Sequence, residues 1–187
     1  LMRKNTEIES CFIVGIDASR VRSGGGKIHI IEILTEVNPL KYGIKEIHVW
    51  ANQQLLNAIP DNPWLIKHSP KELERSLFRQ AWWQRFNFPG EAKQAGCSII
   101  FNPDAGTVSK FKPSVTLSQD MLPYEPGEIE RFGFSSARIR LIILRYIQNR
   151  SLRQSEGVIF LTNHASDVIQ KSCGSLNQHT VIPHGVG

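Results

Sequence analysis

The chain has 187 residues, of which 41% are hydrophobic and 21% charged, proportions typical of a soluble globular protein with room for one sizeable core. Its apolar runs fall well short of the ~18 residues that span a bilayer, so the sequence predicts a cytoplasmic protein without a transmembrane helix. A formal net charge of +5 and a pI of about 9.3 favour an anionic partner, which can be a phosphorylated substrate, an anionic membrane surface or a nucleic acid.

The first half of the chain alternates short apolar runs with helical patterns. Strands are predicted at 11–16, 44–50 and 64–66, and helices at 27–37, 55–59 and 70–86. Ser69 is the predicted N-cap of the last of these helices, and Glu72 is its partner in a capping box.

The second half continues the same alternation. Strands are predicted at 98–101, 114–118, 158–161 and 181–182, and helices at 135–153 and 165–171. Strands that are apolar on both faces and alternate with helices are typical of a parallel sheet covered on both sides. The sequence therefore predicts an α/β, Rossmann-like domain with a mostly parallel sheet.

Three consecutive glycines, Gly24, Gly25 and Gly26, follow the first predicted strand and precede the first predicted helix. Glycine allows the backbone to approach a ligand closely, and a helix N-terminus offers N–H groups to an anion. The spacing matches neither the dinucleotide fingerprint G-x-G-x-x-G nor the phosphate-binding P-loop. The segment indicates either a phosphate-facing turn or a flexible turn without a ligand.

Polar side chains also follow later strands, at the edge where open α/β sheets bind ligands. Gln119 and Asp120 follow the strand at 114–118, and His164 follows the strand at 158–161. A carboxylate at this edge can hold a sugar hydroxyl, but an aspartate after a strand is also a common turn or cap residue. A lone histidine is more often structural than catalytic. The three cysteines form no CxxC pair and no HExxH segment occurs, so the sequence predicts no metal site.

The predicted helix at 135–153 is unusually basic. It carries five arginines and no acidic residue: Arg138, Arg140, Arg145, Arg150 and Arg153. This composition favours either a solvated basic face on a helix that packs on the core, or a surface that contacts anionic lipid or phosphate.

Four segments occur in a characteristic order along the chain. They are Gly24-Gly25-Gly26, Val115 to Pro123 (V-T-L-S-Q-D-M-L-P), Val158 to Ile169 (V-I-F-L-T-N-H-A-S-D-V-I) and Val181 to Val186 (V-I-P-H-G-V). In these segments the chain resembles the N-terminal half of group 1 (family 4) glycosyltransferases with the GT-B fold. The resemblance covers nearly the whole chain. It implies that residues 1–187 form a single acceptor-binding domain and that the donor-binding domain, with the family's E-x7-E glutamates, is absent from this chain.

The resemblance also implies roles for individual residues. Gly24, Gly25 and Gly26 are expected to face the donor diphosphate through their backbone N–H groups. Asp120 is the expected catalytic residue, and Gln119, Asp120 and His164 are expected to contact the acceptor. Gln119 stands where the family has histidine.

The implied reaction is the transfer of a hexosyl group from a nucleotide sugar to a glycan or glycolipid acceptor, with retention of configuration and without a metal or other cofactor. Polysaccharide or glycolipid assembly, with peripheral contact at the inner face of the plasma membrane, would fit this reaction. No nucleic-acid partner is expected, and the isolated chain is expected to be inactive because half of the cleft is missing.

A second hypothesis follows from the high pI and the absence of a donor half. It is a non-catalytic, Rossmann-like domain that binds a ligand or nucleic acid. A nucleotide-dependent dehydrogenase or NTPase is disfavoured, because the glycine spacing fits neither fingerprint.

Overall fold

One parallel sheet organises the protein, and the computed structural model describes residues 12–176 and 178–183. The strands are β1 (Phe12–Asp17), β2 (Ile44–Trp50), β3 (Leu65–His68), β4 (Ile99–Asn102), β5 (Ser114–Ser118), β6 (Gly157–Phe160) and β7 (His179–Val181). They lie in the order β3-β2-β1-β4-β5-β6-β7, and every neighbouring pair is parallel. The predicted Rossmann-like α/β fold is confirmed.

Helices occupy most of the connections between the strands. They are α1 (Gly25–Glu36), α2 (Gln53–Ala58), α3 (Leu77–Phe86), α4 (Phe88–Gln94), α5 (Glu128–Arg131), α6 (Ser136–Gln154) and α7 (Asn163–Cys173). Short 3-10 turns lie at Pro39–Tyr42, Lys71–Glu74 and Leu122–Tyr124. The connection from β4 to β5 is different, because residues 103–113 cross the sheet without a helix.

The core lies on both faces of the sheet because side chains alternate along each strand. In β2, Val49 packs with α1 and α2 on one face, whereas Trp50 packs with α3 and α4 on the other. Residues paired between neighbouring strands have their side chains on the same face of the sheet. The strand pairing from β2 through β1, β4 and β5 to β6 therefore puts Trp50 and Val158 on the same face. Val158 packs against Leu152 of α6, so α6 covers the same face as α3 and α4.

One sequence prediction is wrong. The region predicted as one helix from residue 70 contains a 3-10 turn, an extended Arg75 at φ −102° and ψ −168°, and then α3, which follows Ser76. Ser69 therefore caps no helix. The physical reason is tertiary: the fully buried Leu73 packs beside Trp50 and Trp83, and this packing overrides the local helical pattern.

The remaining boundaries differ from the predicted ones by one or two residues at most ends. Cys11, which opens the first predicted strand, and residues 184–187, which contain the second half of the last resembling segment, lie outside the described residues. Within the described ranges, no helix is both long and apolar enough to cross a membrane.

Candidate functional site

A cleft of about 460 Å³ lies at the carboxyl edge of the sheet. The chain leaves β1 toward β2 on one side and leaves β4 toward β5 on the other, so the two adjacent strands form a topological switch point. At such a point the loops diverge and leave a crevice that ligands commonly occupy. The loops after β1, β4 and β5 line this cleft together with α6 and the start of α3.

The glycine segment forms one wall of the cleft. Gly24 is the N-cap of α1 at φ 71°, a left-handed conformation that favours glycine, and no side chain caps the first turn. A Cβ atom on Gly26 would lie 3.3 Å from Oε1 of Gln119, whereas Gly24 and Gly25 have no heavy atom within 4 Å of such a position. The fold thus brings the glycine segment next to the segment after β5.

Two glutamines of the cleft lining each carry a buried amide atom without a hydrogen-bond partner among the described residues. Nε2 of Gln119 and Oε1 of Gln148 are buried and have no hydrogen-bond partner among the described residues, and both side chains line the cleft. Gln148 is only 2% exposed. A buried polar group without a partner costs about 1–3 kcal/mol, so such a pair marks a place where a partner is expected to bind.

Gln148 is a site residue that the sequence analysis missed. It lies on α6, where a glutamine among arginines is typical of a solvated face. The available signal is its position, seven residues after the buried Leu141 and four residues before the buried Leu152, which places it on the covered stripe of the helix.

The charges in the cleft are mixed, with a small cationic excess. The lining contains three arginines, Arg20, Arg22 and Arg140, and two aspartates, Asp104 and Asp120. Nε of Arg20 lies 3.2 Å from Oδ2 of Asp104, so these two charges largely balance each other. Because Arg140 comes from a different element, the cleft presents cationic groups from two sides.

Asp120 is exposed at the cleft, and one of its oxygens is already used. Oδ1 accepts a hydrogen bond of 3.0 Å from the backbone N–H of Leu122. This is the geometry of an aspartate that caps a turn, the alternative role considered for Asp120 above. The carboxylate is therefore held in a fixed orientation at the carboxyl end of β5.

Behind the cleft wall, the buried carboxylate of Asp17 ties three segments together. It accepts hydrogen bonds from the hydroxyl of Ser19 at 2.6 Å, the amide of Gln84 at 2.6 Å and the hydroxyl of Thr107 at 3.3 Å. Burial raises the pKa of Asp17 above its ordinary value of 3.8, and these hydrogen bonds act in the opposite direction. The network joins β1 to α3 and to the loop at 103–113, so Asp17 positions the cleft rather than lining it.

His164 lies apart from the cleft residues. It is exposed in the first turn of α7, whose N-cap Thr162 accepts a hydrogen bond from the backbone of Ala165. It is not among the described residues that line the cleft. The structure therefore brings together Gly26, Gln119 and Asp120 from the predicted site, and places Gly24 and Gly25 beside them at the start of α1.

No cluster of metal-binding side chains accompanies this site. Among residues 12–176 and 178–183, no group of three or more histidine, cysteine or acidic side chains is placed to hold a metal ion.

The comparisons with known proteins bear on the fold. No protein-family model and no curated protein sequence matches the chain. Among solved structures, the chain is similar to sucrose-phosphate synthase from Thermosynechococcus elongatus, with a TM-score of 0.61 and 14% sequence identity. The match covers 94% of this chain and 49% of that structure, so the chain spans about half its length. The chain therefore has the Rossmann-like fold found in one half of a GT-B glycosyltransferase.

Proposed function

We propose that this chain is the acceptor-binding half of a glycosyltransferase that transfers a sugar from a nucleotide sugar to a glycan or glycolipid. The observation that carries the proposal is the pair of unpaired amide atoms, Gln119 Nε2 and Gln148 Oε1, in a cleft at the switch point of a glycosyltransferase-like fold. The finer assignment to group 1 (family 4) rests on the four resembling sequence segments.

The chemistry of these two atoms suits a carbohydrate. Nε2 of Gln119 is a donor and Oε1 of Gln148 is an acceptor, and a sugar hydroxyl can both accept and donate. A cleft with one unpaired donor and one unpaired acceptor therefore fits a polyhydroxylated ligand. Apolar side chains of α6, Ile143 and Ile147, also line the cleft and offer a surface for the carbon face of a sugar ring.

The glycine segment and the arginines suit the departing diphosphate. Charge develops on the oxocarbenium sugar and on the leaving group as the glycosidic bond breaks, and fixed donors stabilise that charge. In our proposal, the backbone N–H groups at Gly24, Gly25 and Gly26 face the diphosphate at the N-terminal end of α1, where the helix dipole favours an anion. The proposed transfer retains configuration and uses no metal.

In this proposal Asp120 acts near the transferred sugar and the acceptor hydroxyl. Its orientation is fixed by the hydrogen bond from Leu122, which leaves the carboxylate at the mouth of the cleft. His164 stays a prediction for the acceptor side. Ser118 and Phe160 are paired across β5 and β6, so Asp120 and His164 follow neighbouring strands at the same edge of the sheet.

The outer surface of α6 supports contact with an anionic membrane, where a glycolipid acceptor would lie. Three apolar side chains on this surface are about half exposed or more: Ile139, Ile142 and Tyr146. The arginines of the same helix provide the cationic groups that such contact needs. Salt-sensitive binding to anionic vesicles is the expected observation.

Thermal unfolding of the chain in the presence of candidate ligands tests the proposal, because a ligand that binds only the folded state raises Tm. The panel contains oligosaccharide acceptors, UDP-, GDP- and ADP-sugars, NAD and a DNA duplex at two salt concentrations. We expect an acceptor-like glycan to raise Tm. In Gln148→Met, the shift should be lost although the ligand-free variant is at least as stable as the wild type, since the unpaired buried atom is gone.

Gln94→Met is the matched control, since Gln94 is an exposed glutamine on α4, and it should keep the shift. A Tm shift with NAD alone would contradict the proposal. Salt-sensitive stabilisation by DNA alone would favour the nucleic-acid-binding hypothesis instead. Efficient sugar transfer by the purified chain without a donor-binding domain would contradict its assignment as half of an enzyme.

A further inference from the structure

A second polar cleft lies on the sheet face that α6 covers, and it shares no lining residue with the first. Its volume is about 290 Å³, at the small end of ligand pockets. It lies between the helix-free loop at 103–113, the sheet and the C-terminal half of α6. None of the site residues predicted from the sequence belongs to it.

Two buried polar atoms in this cleft have no partner. Asn102 and Ser151 are 3% and 7% exposed, and both line the cleft. Oδ1 of Asn102 and Oγ of Ser151 make no hydrogen bond to any described residue. The Nδ2 group of Asn102 donates to the hydroxyl of Thr116 at 3.1 Å, which holds the amide with its oxygen unpaired. An unpaired acceptor and an unpaired hydroxyl, both on residues more than nine-tenths buried, thus belong to the lining of one cleft.

Cationic side chains line the same cleft. Lys110, Lys112 and Arg150 line the cleft, and Lys112 lies 3.1 Å from the carboxylate of Glu156. Lys110 and Arg150 form no ion pair with any described carboxylate. Arg85 donates a hydrogen bond to the carbonyl of Val108 in the adjacent loop. The pKa of Arg85 is lowered, mainly by burial and also by the positive charge of Arg150. A lysine and an arginine that line one cleft without a described counter-charge, Lys110 and Arg150, favour an anion.

We propose that this second cleft binds a small phosphorylated sugar or polyol. Its phosphate would lie against Lys110 and Arg150, and its hydroxyl groups would donate to Oδ1 of Asn102 and pair with Oγ of Ser151. The volume is suited to a phosphorylated monosaccharide rather than a nucleotide sugar. This site goes beyond the proposed transferase function and does not depend on it.

Binding of ribose 5-phosphate to the purified chain, measured by calorimetry beside ribose and inorganic phosphate, tests the proposal. We expect ribose 5-phosphate to bind at least tenfold more tightly than either fragment, because each fragment satisfies only part of the site. Ser151→Ala should weaken binding by up to about tenfold without destabilising the chain, because alanine is a better helix former and the lost hydroxyl has no partner. Arg150→Gln should weaken binding by about tenfold or more.

Arg140→Gln is the matched control on the same helix, because Arg140 lines the first cleft. It should leave ribose 5-phosphate binding unchanged, and Gln148→Met should do the same. Loss of binding in Arg140→Gln but not in Arg150→Gln would move the ligand to the first cleft and overturn the proposal. Equal affinity for inorganic phosphate and ribose 5-phosphate would overturn the proposal, because the cleft would then bind only a simple anion. No binding of any of the three compounds at millimolar concentration would also overturn it and would leave a water-filled cleft.

Discussion

At the residue scale, the buried carboxylate of Asp17 makes the stability of the chain depend on pH. Its pKa is raised by burial above the ordinary value of 3.8. Below that value the carboxyl is neutral in both the folded and the unfolded chain. As pH rises, the unfolded chain ionises first, so the stability that Asp17 contributes is greatest at low pH and is lost as pH passes through the raised pKa.

Asp17→Asn should remove this pH dependence. We expect the free energy of unfolding of the wild type, minus that of the variant, to fall as pH rises from 3.8 and then to level off. Urea denaturation followed by circular dichroism at a series of pH values measures this difference, and titration of the other groups cancels in the subtraction. A difference that grows with pH would contradict the assignment of burial as the main cause.

Gly15 gives a second prediction at this scale, based on space rather than charge. A Cβ atom there would lie 2.3 Å from Cδ1 of Ile100 and 3.0 Å from Sγ of Cys97. Gly15→Ala should therefore destabilise the chain by about 1–3 kcal/mol. Ile100→Val removes the atom in closest contact and alone should cost ~0.5–1.5 kcal/mol. The double variant with Gly15→Ala and Ile100→Val should be more stable than the sum of the two single effects predicts. Additive effects would contradict the close contact between residue 15 and Ile100.

Single residues also show how far the sequence predicts the site. Gly26, Gln119 and Asp120 were predicted because they follow strands, and the carboxyl ends of parallel strands share one edge. Gln148 was not predicted, because the lack of a hydrogen-bond partner for its Oε1 depends on how α6 lies across the sheet. Asn102 and Ser151 were missed for the same reason: their lack of partners depends on the path of the loop at 103–113.

At the element scale, most strands were predictable because they contain or adjoin short apolar runs, and α6 was predictable from its length and its cap. The hydroxyl of Ser135 accepts a hydrogen bond from the backbone N–H of Arg138 at 3.3 Å and caps this helix. The turn at Lys71–Glu74 was not predictable, because the burial of Leu73 and the contact of Glu74 with the backbone of Gln53 are tertiary interactions.

Ser135→Ala and Ser69→Ala form a matched pair that tests these two caps. Ser135→Ala should lower the free energy of unfolding by about 1 kcal/mol, as expected for loss of an N-cap. Ser69→Ala should change it by less than ~0.5 kcal/mol, because Ser69 is exposed and the cap of the following 3-10 turn is Pro70. Chemical denaturation measures both free energies. An equal loss of stability in the two variants would contradict this account and would support the predicted capping box at Ser69.

At the scale of the whole molecule, the strand order decides the location of the site. Because β1 lies beside β4, and β4 beside β5, three loops from distant parts of the chain meet at one cleft. Sequence patterns predict the strands but not which strands are neighbours, so the strand order could be read only from the structure.

The central claim is that the cleft at the switch point binds the sugar acceptor. Nuclear magnetic resonance of the ¹⁵N-labelled chain, titrated with an oligosaccharide that raises Tm, tests it most directly. We expect the largest changes at the backbone amide of Gly26 and at the side-chain amide groups of Gln119 and Gln148. Changes confined to residues outside this cleft, or the same changes with NAD, would contradict the claim.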